Sequence, residues 1–266
     1  MKVSKLFIYP IKSMQGIELK SSEVEIKGLK WDRRWVLVDE NYIFLTQRTC
    51  VPLGNFAVKL SSDGLTVTHH PDGSEIFIPF ATYDLRDENV KIWDDTVLTK
   101  VYNDEINNWF SEKIQQKVYL CFQPDNSLRP VDPRFMVNEI ENTSMSDGYP
   151  VLILSTETLE FLNSKAGIAF EVERFRPNIL IEGGEAHSED NLRKFGINNV
   201  SFFGVKPCAR CVFTTIDPKT LEKGKEPLLI LSKYRKVDNK ILFGQNVVVH
   251  NPGYISVGDT IKIDLV

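Results

Sequence analysis

The stretch AVKLSSDGLTVTHHPDGSEIFI, residues 57–78, is three short apolar-polar alternations divided by a Ser-Ser-Asp-Gly turn and a Pro-Asp-Gly turn. Alternation of period two with Gly-bearing turns between runs is the pattern of consecutive antiparallel strands. The same spacing continues outward. Residues 3–9 alternate and stop at Pro10, 18–26 alternate and close at Gly28, and 35–38 form a run with 42–46 as its hairpin partner. Short strands at this interval predict a barrel or sandwich rather than βαβ units.

Two segments break the pattern. Residues 103–114 place Ile106, Trp109, Phe110 and Ile114 at helical spacing, with Asp104 as the expected cap. Ser155 is expected to cap a second helix that follows a buried strand at 149–154. Further strands are expected at 118–122, 179–181, 200–205, 241–249 and 260–265. Residues 123–147 are polar and interrupted by Pro and Gly, which predicts a long loop between two units, 1–122 and 123–266. The first strands have the option of pairing with the second unit. The expected class is mainly β (α+β), two β-barrel-like domains with a few helices.

Composition narrows the function. The chain has 266 residues, 32 Lys and Arg against 36 Asp and Glu, and a net charge of -4. No overall basic excess speaks for nucleic acid. No apolar run reaches the ~18 residues of a membrane span. The N-terminus has neither a signal-peptide core nor a transit-peptide pattern. Four cysteines in this length do not make a disulfide scaffold, so a reducing cytoplasm is the expectation.

Chemistry is expected around Cys208 and Cys211. They stand three apart, with Pro207 before them and Arg210 between them. Residues 212–216 read as a strand, so the pair is expected on a loop that feeds it. A neighbouring cation favours an ionised thiol, and thiolates favour softer metals. A thioredoxin-type pair needs a helix N-terminus, and half a zinc site lacks partners, because Cys50, Cys121 and the four histidines show no paired spacing. Two incidental cysteines remain the plain alternative. Lys12 and Ser13 after a strand suggest an anion-contacting loop. Arg33, Arg34 and Arg176 are further cations at strand ends, where a loop-built pocket forms. Each of these is individually explained as a surface charge or ion-pair partner. His69 and His70 read as surface residues. No nucleophile elbow and no G-x-G-x-x-G is present.

Read together, residues 9–13 (YPIKS), 32–35 (DRRW), 175–178 (FRPN), 208–211 (CARC), 214–218 (TTIDP), 243–246 (FGQN) and Gly258–Asp259 resemble the molybdenum cofactor sulfurase C-terminal (MOSC) domain, preceded by the MOSC N-terminal β-barrel of the amidoxime-reducing components and their bacterial relatives. The resemblance implies a molybdenum–pyranopterin cofactor (Mo-molybdopterin) with Cys211 as metal ligand and catalytic residue. It implies Lys12, Ser13, Arg33 and Arg176 around the pterin and its phosphate. Asp147, Gly148 and Tyr149 correspond to a cofactor-contacting loop, Ala209 and Arg210 to its lining, and Asn178 and Asn246 to further contacts. Vertebrate members have Thr-Ser where this chain has Gly148–Tyr149, and Tyr where it has Asn246. The implied activity is reduction of N-hydroxylated compounds (amidoximes, hydroxylamines, N-oxides), with the site in the cleft between the two units. The chain ends without a Cys-rich extension, so an external electron donor is expected: a heme b5-type protein, a ferredoxin-type protein or a flavoprotein reductase. Pyridoxal phosphate binding is left open beside it. The alternative function is a cofactor or sulfur carrier without turnover, with mobile sulfur on Cys211.

Overall fold

A computed structural model describes residues 1–81, 84–138 and 141–263. The hairpin series forms as expected: Phe56–Leu60, Gly64–His69 and Ser74–Pro79 make a three-stranded antiparallel sheet. A second sheet has the order Trp35–Val38, Tyr119–Phe122, Asp95–Val101, Arg86–Ile92. The helix Asp104–Ile114 buries Ile106 and Phe110, and these pack in one cluster with Trp35, Phe56, Leu120 and Phe122.

The largest sheet runs in the order Ile261–Ile263, Lys194–Ile197, Val200–Arg210, Lys240–Asn251, Val151–Ser155, Ile179–Glu182, Lys2–Ile8, Ile17–Leu19. The chain's first strand is thus paired with a strand of the C-terminal half, Leu6 opposite Ile179. One cluster of this region gathers Leu6, Ile153, Ile181, Phe195 and Val247. Another gathers Phe7, Leu154, Leu162, Leu231 and Phe243, where the helices Thr156–Ala166 and Leu228–Ser232 contribute Leu162 and Leu231. The protein is mostly β. Among the described residues no sheet closes on itself, so the units are barrel-like, not closed barrels.

Several expectations are corrected. Residues 212–216 are not a strand. Val212–Thr215 is a 3-10 turn in which the hydroxyls of Thr214 and Thr215 donate back to the carbonyls of Cys211 and Val212 at 3.0 and 2.8 Å. β-branched residues suggest a strand, but threonine hydroxyls also lock turns of this kind. The cysteines therefore end a strand instead of feeding one. The strand Val200–Arg210 runs past Pro207 because its register against Lys240–Asn251 shifts between Pro207 and Ala209, and a bulge tolerates the missing donor. Gly204 is required there: a Cβ would lie 1.7 Å from the Leu192 carbonyl oxygen.

The first helix is capped by Asn103, which accepts from the Ile106 N–H at 3.1 Å, and Asp104 lies inside its first turn. Ser155 does cap the second helix, accepting from Thr158 N–H at 3.1 Å. His69 is buried against Phe56 and bonded to Asp72 at 2.9 Å. Residues 42–46 touch 35–38 through a single bridge, Val38 to Phe44, and the expected end of the last strand, 264–265, lies outside the described residues. The hairpin Arg86–Ile92 with Asp95–Val101 was not expected. Its two-residue turn is Trp93–Asp94, with Trp93 at φ 57°, and lacks the Gly that marks such turns.

Candidate functional site

Three connections meet on one side of the largest sheet. The turn after Lys2–Ile8 carries Lys12 and Ser13, the segment before Ile179–Glu182 carries Arg176 and Asn178, and the end of Val200–Arg210 carries Ala209, Arg210 and Cys211. The turns are tied to each other by backbone bonds: Lys12 N–H to Trp35 O at 2.8 Å, Arg33 N–H to Tyr9 O at 3.0 Å, and Met145 N–H to Arg33 O at 2.9 Å. They line a cleft that opens to solvent. The twelve residues that the family resemblance implies all line it: Lys12, Ser13, Arg33, Asp147, Gly148, Tyr149, Arg176, Asn178, Ala209, Arg210, Cys211 and Asn246. Cys208 lines it as well.

Arg34 does not. It turns away and holds the Gln123 carbonyl at 2.6 and 3.0 Å and Asp125 at 2.6 Å. Arg33 closes a turn at φ 49° and Arg34 leads into the strand Trp35–Val38, so the two side chains part and only one of the pair reaches the cleft. Asn178 is at the wall but is structural in its bonding. Its Oδ1 accepts from Leu152 N–H and from Arg33 Nη1, both at 3.1 Å, and its Nδ2 donates to Phe7 O at 3.2 Å.

The cations are arranged with care for charge. Asp32, fully buried, accepts from Arg33 Nη1 at 2.7 Å and from Tyr9 N–H at 2.8 Å. The guanidinium groups of Arg33 and Arg176 lie 4.4 and 3.9 Å from the centre of the Tyr9 ring. Arg176 donates to Met14 O at 2.7 Å, while its Nη2 is buried with no protein partner. Burial, then repulsion from Arg33, lowers Arg176 to about 10. Ser13, Arg33 and Arg176 all have positive φ, 69°, 49° and 53°. Non-Gly residues in this region cost on the order of 1–3 kcal/mol and cluster at binding sites.

Lys12 is buried and donates to Met145 O at 2.8 Å and Asp147 Oδ1 at 2.6 Å. Burial pulls its amine down to about 8, against the opposing pull of Asp147. Asp147, with its side chain 60% exposed at the cleft edge, is held below the usual carboxylate range by Lys12 and Arg48, which outweigh the cost of taking it from water. A pH dependence follows. The cleft's cationic charge falls as pH rises through about 8. Sulfate, whose charge is constant here, is expected to bind less tightly at about pH 9 than at about pH 7, and Lys12→Met is expected to flatten that profile. Stability moves the other way. The unfolded chain keeps this proton until about 10.4, so between about pH 8 and 10.4 the unfolded state binds more protons and the Lys12 contribution to stability rises with pH. Isothermal titration with sulfate and urea melts across this range test the pair of signs.

At the other wall each cysteine has its own arginine. Arg210 Nη1 donates to Cys208 Sγ at 3.1 Å, and Arg48 Nη1 to Cys211 Sγ at 3.5 Å. Arg48 was missed. It sits just after the 42–46 run, another cation at the end of an extended segment, which is the signal that picked out Lys12, Arg33 and Arg176. Phe213 and Thr214 also line the cleft.

The donors fit an anion carried on a metal-bearing organic group. Arg176 Nη2 and Arg210 Nε are buried and have no hydrogen-bond acceptor among the described residues. Among the described residues no group of three or more His, Cys, Asp or Glu is placed to hold a metal. A metal at Cys211 would take one protein sulfur and bring its other ligands with it.

Residues 1–117 match the MOSC N-terminal beta barrel domain, and residues 141–262 match the MOSC domain. Mouse mitochondrial amidoxime-reducing component 1 is 31% identical over 98% of this chain and 82% of its own length. The human protein of that name is 29% identical over the same shares. Rice molybdenum cofactor sulfurase is 30% identical over 91% of this chain, which spans 32% of that larger protein. Among the described residues no helix is long and apolar enough to cross a membrane.

Proposed function

The chain belongs to the MOSC-domain family, in the branch that carries the MOSC N-terminal β-barrel domain and includes the amidoxime-reducing components, and from that premise we propose that it is a molybdenum-cofactor oxidoreductase that reduces N-hydroxylated compounds. The observation that carries the reading is a half-exposed sulfur, Cys211, set with Cys208 in a cleft walled by Lys12, Arg33, Arg48, Arg176 and Arg210. A soft ligand beside a bank of cations suits a metal held by an anionic organic ligand.

Bound there, molybdenum–pyranopterin would supply two-electron removal of oxygen from amidoximes, hydroxylamines or N-oxides, releasing water. The chain's own work is ligation, orientation and charge. Cys211 Sγ is the protein's ligand. Arg176, with its free Nη2, and Arg33, kept in place by Asp32, hold the anionic end. Lys12 links the loop of residues 144–148 to the N-terminal turn and adds a cation. Asp147, Gly148 and Tyr149 border the open side of the cleft, where a substrate enters. Electrons come from a separate donor of heme, iron–sulfur or flavin type.

The test is metal analysis by plasma mass spectrometry on the chain expressed in a host that makes the cofactor, with turnover of benzamidoxime under a chemical reductant. Near one molybdenum per chain with reductant-dependent turnover is expected. Stoichiometric metal without turnover would turn the reading to a cofactor carrier, and folded protein without molybdenum would end it.

A further inference from the structure

Resting on the metal–thiolate reading above, we propose that Arg48 is a positioning residue that sets the reduction potential of a metal held by Cys211, by directing a charged hydrogen bond at the ligand sulfur. The guanidinium comes from the N-terminal unit and the sulfur from the C-terminal one, so the contact spans the cleft. Its Nη1 lies 3.5 Å from Cys211 Sγ and 3.4 Å from Asp147 Oδ2.

The group is built in place. Its plane lies over the Trp93 ring, 4.6 Å from the centre. Trp93 is 47% exposed and sits at φ 57° in a hairpin turn that glycine or asparagine would fill without strain. Phe44 supports it edge-on at 4.9 Å. The turn below Arg48 is closed by Thr49 N–H to Thr46 O at 3.0 Å and Cys50 N–H to Thr46 O at 2.8 Å, and the Arg48 carbonyl accepts from Lys223 at 3.3 Å. Half-exposed and in a left-handed turn, Trp93 lays its ring against Phe44 and the Arg48 guanidinium.

Hydrogen bonds to a ligating sulfur withdraw electron density from it and favour the reduced metal. A positive charge at the same place acts in the same direction. Asp147, bonded to both Lys12 and Arg48, keeps Arg48 aimed and links the sulfur to the cationic wall.

The experiment uses the full chain from a cofactor-making host as wild type, Arg48→Lys and Arg48→Met, with molybdenum per chain by plasma mass spectrometry and the midpoint potential by EPR-monitored redox titration. Equal molybdenum in all three is expected. The potential is expected to move negative in Arg48→Met and by less in Arg48→Lys, which keeps the charge but not the planar fork. An unchanged potential in Arg48→Met overturns the proposal and leaves the molybdenum reading standing. A shift in Arg48→Lys as large as in Arg48→Met overturns it too, as does loss of most metal from Arg48→Met, which would make Arg48 a holder of the cofactor. A wild type without molybdenum overturns both readings at once.

Discussion

Cys211→Ser is expected to fold normally and to lose turnover of an N-hydroxylated substrate by more than about 100-fold. Changing an outer-shell partner of a metal ligand typically costs 10–100-fold, so replacing the ligand itself exceeds that. Serine keeps the size and loses the soft donor: its hydroxyl is not an anionic ligand at neutral pH. The fold has little stake in this sulfur. Cys211 is half-buried, belongs to none of the apolar clusters, and its sulfur accepts from Arg48 Nη1 at 3.5 Å. Its backbone carbonyl, which holds the 3-10 turn through Thr214, is untouched by the change. Stability is therefore expected within about 0.5 kcal/mol of wild type. Cys208→Ser is the control. Its sulfur takes a bond from Arg210 at 3.1 Å on the same wall, and turnover within about tenfold of wild type is expected, the scale of losing a supporting contact. Steady-state assays of both variants beside urea melts decide the matter. Cys211→Ser enzyme with near wild-type turnover would remove the metal-ligand role.

Asp32→Ala is expected to destabilise the protein by about 3–5 kcal/mol, the cost of leaving a buried charge without its counter-ion. Asp32 is fully buried and the Arg33 side chain 12% exposed. With the carboxylate gone, Arg33 keeps Asn178 Oδ1 at 3.1 Å and Arg176 O at 3.2 Å, both neutral acceptors. The Tyr9 N–H, which Asp32 accepts at 2.8 Å, loses its acceptor. Two guanidinium groups then lie against the Tyr9 ring without the Asp32 carboxylate beside them. Asp32→Asn keeps an acceptor of the same shape and is expected to cost about 2 kcal/mol, the scale of an imperfectly satisfied buried group. A guanidinium melt of the two variants in sulfate-free buffer reads the difference. The loss is expected to shrink when sulfate is added to wild type and variant alike only if Arg33 remains in place, so sulfate protection is expected for Asp32→Asn and not for Asp32→Ala. An Asp32→Ala protein within about 1 kcal/mol of wild type would show that Arg33 does not need this partner.

Local chemistry made most elements readable. Asp63–Gly64 and Asp72–Gly73 mark the hairpins of 57–78 because glycine and aspartate favour tight turns, and the strands follow from side-chain alternation. Ser155 identifies its helix because a hydroxyl at that position accepts from Thr158 N–H, while also donating to Thr158 Oγ1 at 2.8 Å. The errors arise where tertiary contacts overrule local preference. Pro207 suggests the end of a strand, yet a partner strand with a register shift carries the chain through to Arg210. Trp93–Asp94 makes a two-residue turn with no glycine and a tryptophan at positive φ, its ring 4.6 Å from the Arg48 guanidinium. Arg33 and Arg34 are indistinguishable as neighbours in the chain. Only the folded chain, with its left-handed turn at Arg33, decides that one faces Tyr9 and the other Gln123.

The sequence by itself determined a mostly β chain, the placement of two helices, Asp104–Ile114 and Thr156–Ala166, but not of Leu228–Ser232, and the residue types of a basic, sulfur-bearing cleft, since these depend on spacing, turn chemistry and the quoted motifs. Only the tertiary structure decided that twelve residues between positions 12 and 246 line one cleft. It alone decided that Lys12 is buried enough to hold its proton weakly and that Arg48 faces Cys211 across 163 positions of chain. Those outcomes depend on distance and exclusion of water, which arise when strands far apart in the chain pair, and no local run of residues encodes them.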